Sequence, residues 1–114
     1  MTSLELKKPI VFIDIETTGK NESEDRIIEI CLTKILLDGN EETLTSLINP
    51  LIPISVESQQ IHKITDKEVQ GKPTFKEIAQ KIIDFIDDCD LSGFAMRFDL
   101  AFLEAEFKRA EVNF

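Results

Sequence analysis

The sequence predicts an α/β fold, a mixed sheet of three antiparallel strands and one parallel strand with flanking helices. Three observations carry that reading. Residues Ile10 to Glu16, IVFIDIE, form a short β-branched run entered through Pro9; Asp38-Gly39-Asn40 separates two apolar runs; and Thr74-Phe75-Lys76-Glu77 opens an apolar stripe at helical spacing.

The first run is short, apolar and rich in Ile and Val, the pattern of a strand buried on both faces, with Asp14 and Glu16 at its C-terminal end. After a polar loop, Gly19 to Asp25, RIIEICLTKILL reads as a second strand and the alternating ETLTSLIN as a third. Asp-Gly between them is a strong hairpin signal, so these two pair antiparallel. Pro50 and Pro53 end the sheet register, and an irregular stretch runs to Gly71, within which Thr65-Asp66-Lys67-Glu68 has the form of a helix-start capping box. The second such box, after Pro73, starts the clearest helix, on which Phe75, Ile78, Ala79, Ile82, Ile83 and Ile86 make one apolar face. Leu91 to Met96 is then a strand parallel to the first, because a helix intervenes. From Asp99 the pattern Leu100, Phe102, Leu103, Phe107, Ala110 gives a last amphipathic helix.

The chain has 114 residues, the size of one domain or a piece of one. With 42% hydrophobic and 31% charged residues it has the composition of a packed fold. A net charge of −9 argues against a general nucleic-acid coat protein, since phosphate binding rests on Lys and Arg, unless metal ions supply the positive charge. Cys31 and Cys89 fit neither a disulfide framework nor a zinc spacing, and read as reduced core thiols of a cytosolic protein. The N-terminal charges precede an apolar run that Asp14 interrupts, which is not a signal peptide, and no run approaches the roughly 18 apolar residues of a membrane span.

Asp14 and Glu16 are two apart on a strand, so both carboxylates share one face. Adjacent like charges call for a cation, and a hard divalent ion such as Mg²⁺ takes one or two carboxylates and fills its shell with water and phosphate. The plainer alternative is that the strand ends at Asp14 and both acids are solvated at its tip. Asp99 alone reads as a helix N-cap, and His62 alone as a surface residue of a polar loop. The Phe75, Phe85, Phe102 and Phe107 set falls on helical stripes and reads as core.

FIDIETTG, Phe12 to Gly19, closely resembles the first motif of the DEDD superfamily of 3′→5′ exonucleases, DEDDh type. IHKITDKEV, Ile61 to Val69, is similar to the Ile-His-Gly-Ile-Thr segment of proofreading exonucleases of the bacterial DNA polymerase III epsilon type, and PTFKEIAQKIIDFI to the helix that follows it. SGFAMRFDLAFLEAEFKRAEVNF, from Ser92, is similar to the second motif, whose closing Phe-Asp falls on Phe98-Asp99. The resemblance implies an RNase H-like fold, with residues 1–114 as the N-terminal part of a single exonuclease domain, C-terminally truncated. It implies Asp14, Glu16 and Asp99 as catalytic carboxylates and ligands of two divalent cations, Mg²⁺ or Mn²⁺, and Thr17, Thr18 and His62 as substrate contacts. The implied reaction is hydrolysis from a nucleic-acid 3′ end, DNA ahead of RNA, releasing nucleoside monophosphates. A DNA polymerase subunit is the implied partner, the cytoplasm the implied compartment, and no membrane is involved.

The chain departs from the family in three places. Ala95 stands where the second motif carries Asn, and His62-Lys63 where His-Gly is usual. The third motif, a His and an Asp at fixed spacing, has no counterpart after Asp99, and His62 has Lys67 where that Asp would stand. The expectation is therefore an exonuclease domain inactive as these 114 residues, prone to self-association where the last helix near Phe107 lacks cover. Two alternatives stand beside it: a module that keeps the fold and binds a nucleic-acid end or a polymerase partner without catalysis, and a plain metal-binding domain.

Overall fold

The structure is a computed structural model that describes residues 7–114; residues 1–6, the start of the segment read for a signal peptide, lie outside the described residues. Its elements are β1 (Ile10–Thr17), β2 (Ile27–Ile35), β3 (Glu41–Leu47), α1 (Val56–His62), α2 (Asp66–Val69), α3 (Phe75–Ile86), β4 (Asp90–Ser92) and α4 (Met96–Arg109). The sheet order is β3-β2-β1-β4, with β1 antiparallel to β2, β2 antiparallel to β3 and β4 parallel to β1. The hairpin turns at Gly39, whose φ of 88° only glycine adopts without strain. Both capping boxes start helices: Thr65 and Thr74 accept the backbone N–H groups of Glu68 and Glu77.

The alternation of β1 turns Val11, Ile13 and Ile15 into the main core, where they meet Ile30 and Leu32 of β2, Phe75, Ala79 and Ile82 of α3, and Phe102, Leu103 and Phe107 of α4. The core reading of Phe75, Phe102 and Phe107 holds, and Phe85 packs partly buried against the same cluster. β1 is not buried on both faces as its composition suggested. Phe12 is 45% exposed and Asp14 is exposed, because α3 and α4 pack on the same side and leave the other face open among the described residues.

Between β1 and β2 the register slips: Glu16 pairs with Glu29 but Thr17 with Ile27, so Ile28 is an extra residue, a β-bulge. The slip turns neighbouring side chains to different places. Ile27 enters the main core, whereas Ile28 joins Ile54, Ile64 and Val69 in a small second cluster under α1 and α2.

Other sequence expectations need correcting. The stretch before Gly71 contains α1 as well as α2. The parallel strand stops at Ser92 instead of Met96, and α4 begins at Met96, so Asp99 lies inside the first turn and is not its cap. Cys31 and Cys89 are free and half-buried, and Cys31 lies on the open face of the sheet opposite Asp14 and not in the core.

Candidate active site

Asp14 and Glu16 emerge from β1 on its open face, as their spacing requires, with Cys31 and Glu29 directly across on β2. Phe12, Asp14 and Phe94 are among the residues lining a cleft of about 370 Å³ on this face. Asp99 comes from the first turn of α4 and is only 4% exposed. It reaches this place because Gly93 lets the chain pass tightly: a Cβ there would come within 2.7 Å of the Ile13 carbonyl oxygen and 3.1 Å of Asp99 Oδ2. The chain thus brings Asp99 against β1 just where Asp14 leaves it.

The charges register this proximity. Burial, followed by the Asp14 carboxylate, pushes Asp99 up to about 6. Glu16 is also raised, first by burial and then by Asp14 and Glu29, with His62 acting in the opposite direction. Among the described residues no group of three His, Cys, Asp or Glu side chains forms a ready cage for a metal ion. The donor chemistry still fits a hard divalent cation. Every donor is a carboxylate oxygen, each of Glu16 and Asp99 is pushed toward its neutral form by burial and then by Asp14, and Mg²⁺ needs only one or two such ligands beside water and phosphate.

The turn after β1 is tied to itself. Thr17 Oγ1 donates to the Gly19 carbonyl at 2.6 Å. Thr18 is fully buried; its Oγ1 donates to Asp25 Oδ1 at 2.8 Å and accepts from Arg26 N–H, its N–H donates to the Arg26 carbonyl, and its carbonyl accepts from Ser55 N–H. With each polar group engaged, Thr18 fixes the turn. Gly19 is required by close approach, because a Cβ would collide with the Asp25 carboxylate.

His62 sits at the end of α1, half-buried. Its Nδ1 accepts the Ile64 N–H at 3.0 Å, so in the neutral ring Nε2 carries the proton and donates to the Thr17 carbonyl at 3.2 Å. Neither nitrogen has a lone pair free for proton abstraction, and the residue instead pins the exit of β1. Lys63 adopts φ 65° at the C-cap, so the turn expected of His-Gly is kept by a lysine in the left-handed region that glycine prefers.

Sequence reasoning missed Gly93, whose role depends on what lies against it, and Phe12 and Phe94, whose exposure follows from the one-sided packing. It also missed Glu106, a buried acid on α4; an acid at core spacing on an amphipathic helix was the only available signal.

Fold and carboxylates first define a class. Escherichia coli exonuclease I, solved in complex with an oligonucleotide, superposes with a TM-score of 0.84 over 94% of this chain and 25% of its own, at 20% identity. The architecture is therefore the RNase H-like mixed sheet with helices. The RNase T model, described as Exonuclease, matches residues 11–113, and the chain belongs to this exonuclease family. The DNA polymerase III subunit epsilon of Pasteurella multocida is 33% identical over 111 residues, 90% of this chain and 43% of that protein. The 3′-5′ exonuclease DinG of Staphylococcus aureus is 31% identical over 102 residues, 90% of this chain and 11% of that protein. The chain thus spans less than half of the length of these curated relatives. Among the described residues no helix is long and apolar enough to cross a membrane.

Proposed function

We propose that residues 1–114 are the N-terminal part of a single exonuclease domain that hydrolyses phosphodiesters from a nucleic-acid 3′ end, with DNA as the preferred strand. The observation that carries this reading is the convergence of Asp14 and Asp99, from β1 and α4, close enough for one carboxylate to raise the other. Asp14, Glu16 and Asp99 would hold two divalent ions, Mg²⁺ or Mn²⁺, which when bound activate water and neutralise the phosphate's developing charge. The chain's own part is to present Asp14 and Glu16 on the open face of β1, to bring Asp99 of α4 beside Asp14 while keeping it out of bulk water, and to set the turn at Thr17 beside them. Thr17, Thr18 and His62 are the proposed neighbours of the terminal nucleotide, with His62 acting through its bond to the Thr17 carbonyl. A cytoplasmic setting and a DNA polymerase subunit as partner belong to the same proposal, supported by the likeness to epsilon.

One observation favours a second reading for these residues alone. Both nitrogens of His62 are engaged with backbone, so the chain offers no imidazole base, and general-base catalysis is worth roughly 10²- to 10⁴-fold. The 114 residues by themselves would then bind a 3′ end and cleave it slowly or not at all. Release of monophosphate from a 3′-labelled oligonucleotide with Mn²⁺, compared with binding of the same strand, separates the two readings. Neither binding nor cleavage overturns both. Asp14→Asn tests the metal assignment: the variant should lose most of the rise in Tm that Mn²⁺ gives the parent chain, and an unchanged rise returns Asp14 to a solvated strand tip.

A further inference from the structure

Among the described residues two acids are buried. Asp99 belongs to the site above, and the other, Glu106, lies two helical turns further along the same face of α4, 4% exposed. Glu106 Oε2 accepts the Ile27 N–H at 3.0 Å, and Oε1 accepts Arg109 Nη2 at 2.8 Å and Nε at 3.3 Å. Arg109 then reaches across to the β1–β2 loop, donating from Nη1 to the Glu22 carbonyl at 3.2 Å and from Nη2 to the Asp25 carbonyl at 3.3 Å.

This arrangement answers a need created by the bulge. Where Ile28 is the extra residue, the Ile27 amide donates to the side chain of α4 and not into the ladder, and a buried amide left without an acceptor is costly. A neutral acceptor would meet that need. A buried ion pair seldom stabilises more than apolar residues of the same size, so the charge and the arginine fork call for a role in geometry. Asp25, whose carbonyl Arg109 holds, uses its carboxylate to take the Thr18 hydroxyl and the Asn21 N–H. Thr18 is adjacent to Thr17 and two residues from Glu16. Helix α4 therefore carries Asp99 at one end and, at the other, a clamp on the turn that leaves the carboxylate strand.

We infer that Glu106 and Arg109 are positioning residues, a clamp that references the turn from Thr17 to Asp25 to the same helix that carries Asp99, so that nucleotide contacts and carboxylates keep one geometry. The inference rests on the exonuclease reading for what the turn holds, the end of a strand.

The test uses the full chain, amide hydrogen exchange, and Mn²⁺-dependent binding of thymidine monophosphate. Arg109→Met keeps the apolar stem and removes the fork; amide exchange over residues 20–26 should rise and nucleotide affinity fall, each about tenfold. Glu106→Gln keeps an acceptor for Ile27 and removes the charge that orients Arg109, and should give a smaller loss in the same two readouts. It also keeps the test alive if Arg109→Met does not fold. Lys108→Met, an exposed cation on the same helix turn, should change neither. Unchanged exchange over residues 20–26 overturns the clamp. Faster exchange with unchanged nucleotide affinity overturns the positioning role and leaves a contact that serves only the fold. A parent chain that binds no nucleotide overturns the functional reading instead, and the exchange data still decide whether the clamp exists.

Discussion

Helices α3 and α4 pack against each other and against the same face of the sheet, yet they are built to different ends. α3 begins with a reciprocal capping box between Thr74 and Glu77 and buries only Phe75, Ala79, Ile82 and Ile86. α4 begins at Met96 after Ala95, which gives no side-chain cap, and buries Asp99 and Glu106 among Phe102, Leu103 and Phe107. Each feature of α3 stabilises a helix; α4 omits the cap and buries two carboxylates, one of which, Asp99, is pushed toward its neutral form by burial and then by Asp14. The difference teaches where the chain accepts a loss of stability: on the element that delivers the acids.

The sharpest way to break this comparison is Asp99→Asn. With Asp99 raised from 3.8 to about 6, the folded chain holds the proton more tightly than the unfolded chain. Its contribution is therefore most favourable below the lower value and is lost as pH climbs to the upper one. Removing the charge should raise the metal-free stability at pH 7 by about 1–3 kcal/mol and erase the downward slope between those values. Urea melts at pH 4 and pH 7 without metal measure it, and a destabilised variant at pH 7 would show that Asp99 is held by partners that favour its charged form.

On α3 the corresponding change should go the other way. Thr74→Ala removes the side-chain half of the capping box, leaving the Thr74 backbone N–H on Glu77 Oε1, and should cost about 1 kcal/mol, within a range of roughly 0.5–2. Chemical denaturation reads it, and a loss near zero would mean that α3 owes its start to packing alone. Ala95→Asn supplies α4 with the cap it lacks, and should add about 0.5–1 kcal/mol. No gain there would place the backbone of Ala95, φ −122° and ψ 55°, outside the geometry a cap needs. The smallest effect is at Glu77, whose carboxyl is lowered by its bonds to the Thr74 backbone and then side chain. Its contribution is present above the ordinary glutamate range and disappears as pH falls through the lowered folded value, opposite in sign to Asp99. Glu77→Gln should flatten the acid limb of a stability–pH curve without moving its plateau below that of Thr74→Ala.

The same contrast explains what was legible in the sequence. α3 was read to the residue because cap, period and burial agree. α4 was entered three residues late, since no cap marks Ala95 and Asp99 resembles one. α1 escaped because it buries no side chain and so has no apolar period to see; its only mark is Ser55, which accepts from the Ser58 N–H. The carboxylates of β1 could be read because alternation alone puts Asp14 and Glu16 on one face. That Asp99 meets them depends on Gly93 passing the Ile13 carbonyl, a tertiary approach that spacing does not encode. Thr18, a candidate substrate contact by motif, proved to be fully engaged inside its own turn for the same reason: its partners Asp25, Arg26 and Ser55 arrive from elsewhere in the chain.

The bulge at Ile28 also divides the apolar packing into two unequal clusters. Ile27 is anchored with the sheet and the two long helices, but α1 and α2 hang on a few side chains, Ile28, Ile54, Ile64 and Val69, with Leu47 at their margin. Few buried apolar contacts go with low local stability, so the amides of α1 and α2 should exchange ahead of those of the main core. His62 ties that smaller part to β1 through the Thr17 carbonyl, while its Nδ1 is held within the part itself by the Ile64 N–H. One surplus residue in a strand thus decides which side chains are packed with the sheet and its two long helices, and which depend on the short helices α1 and α2.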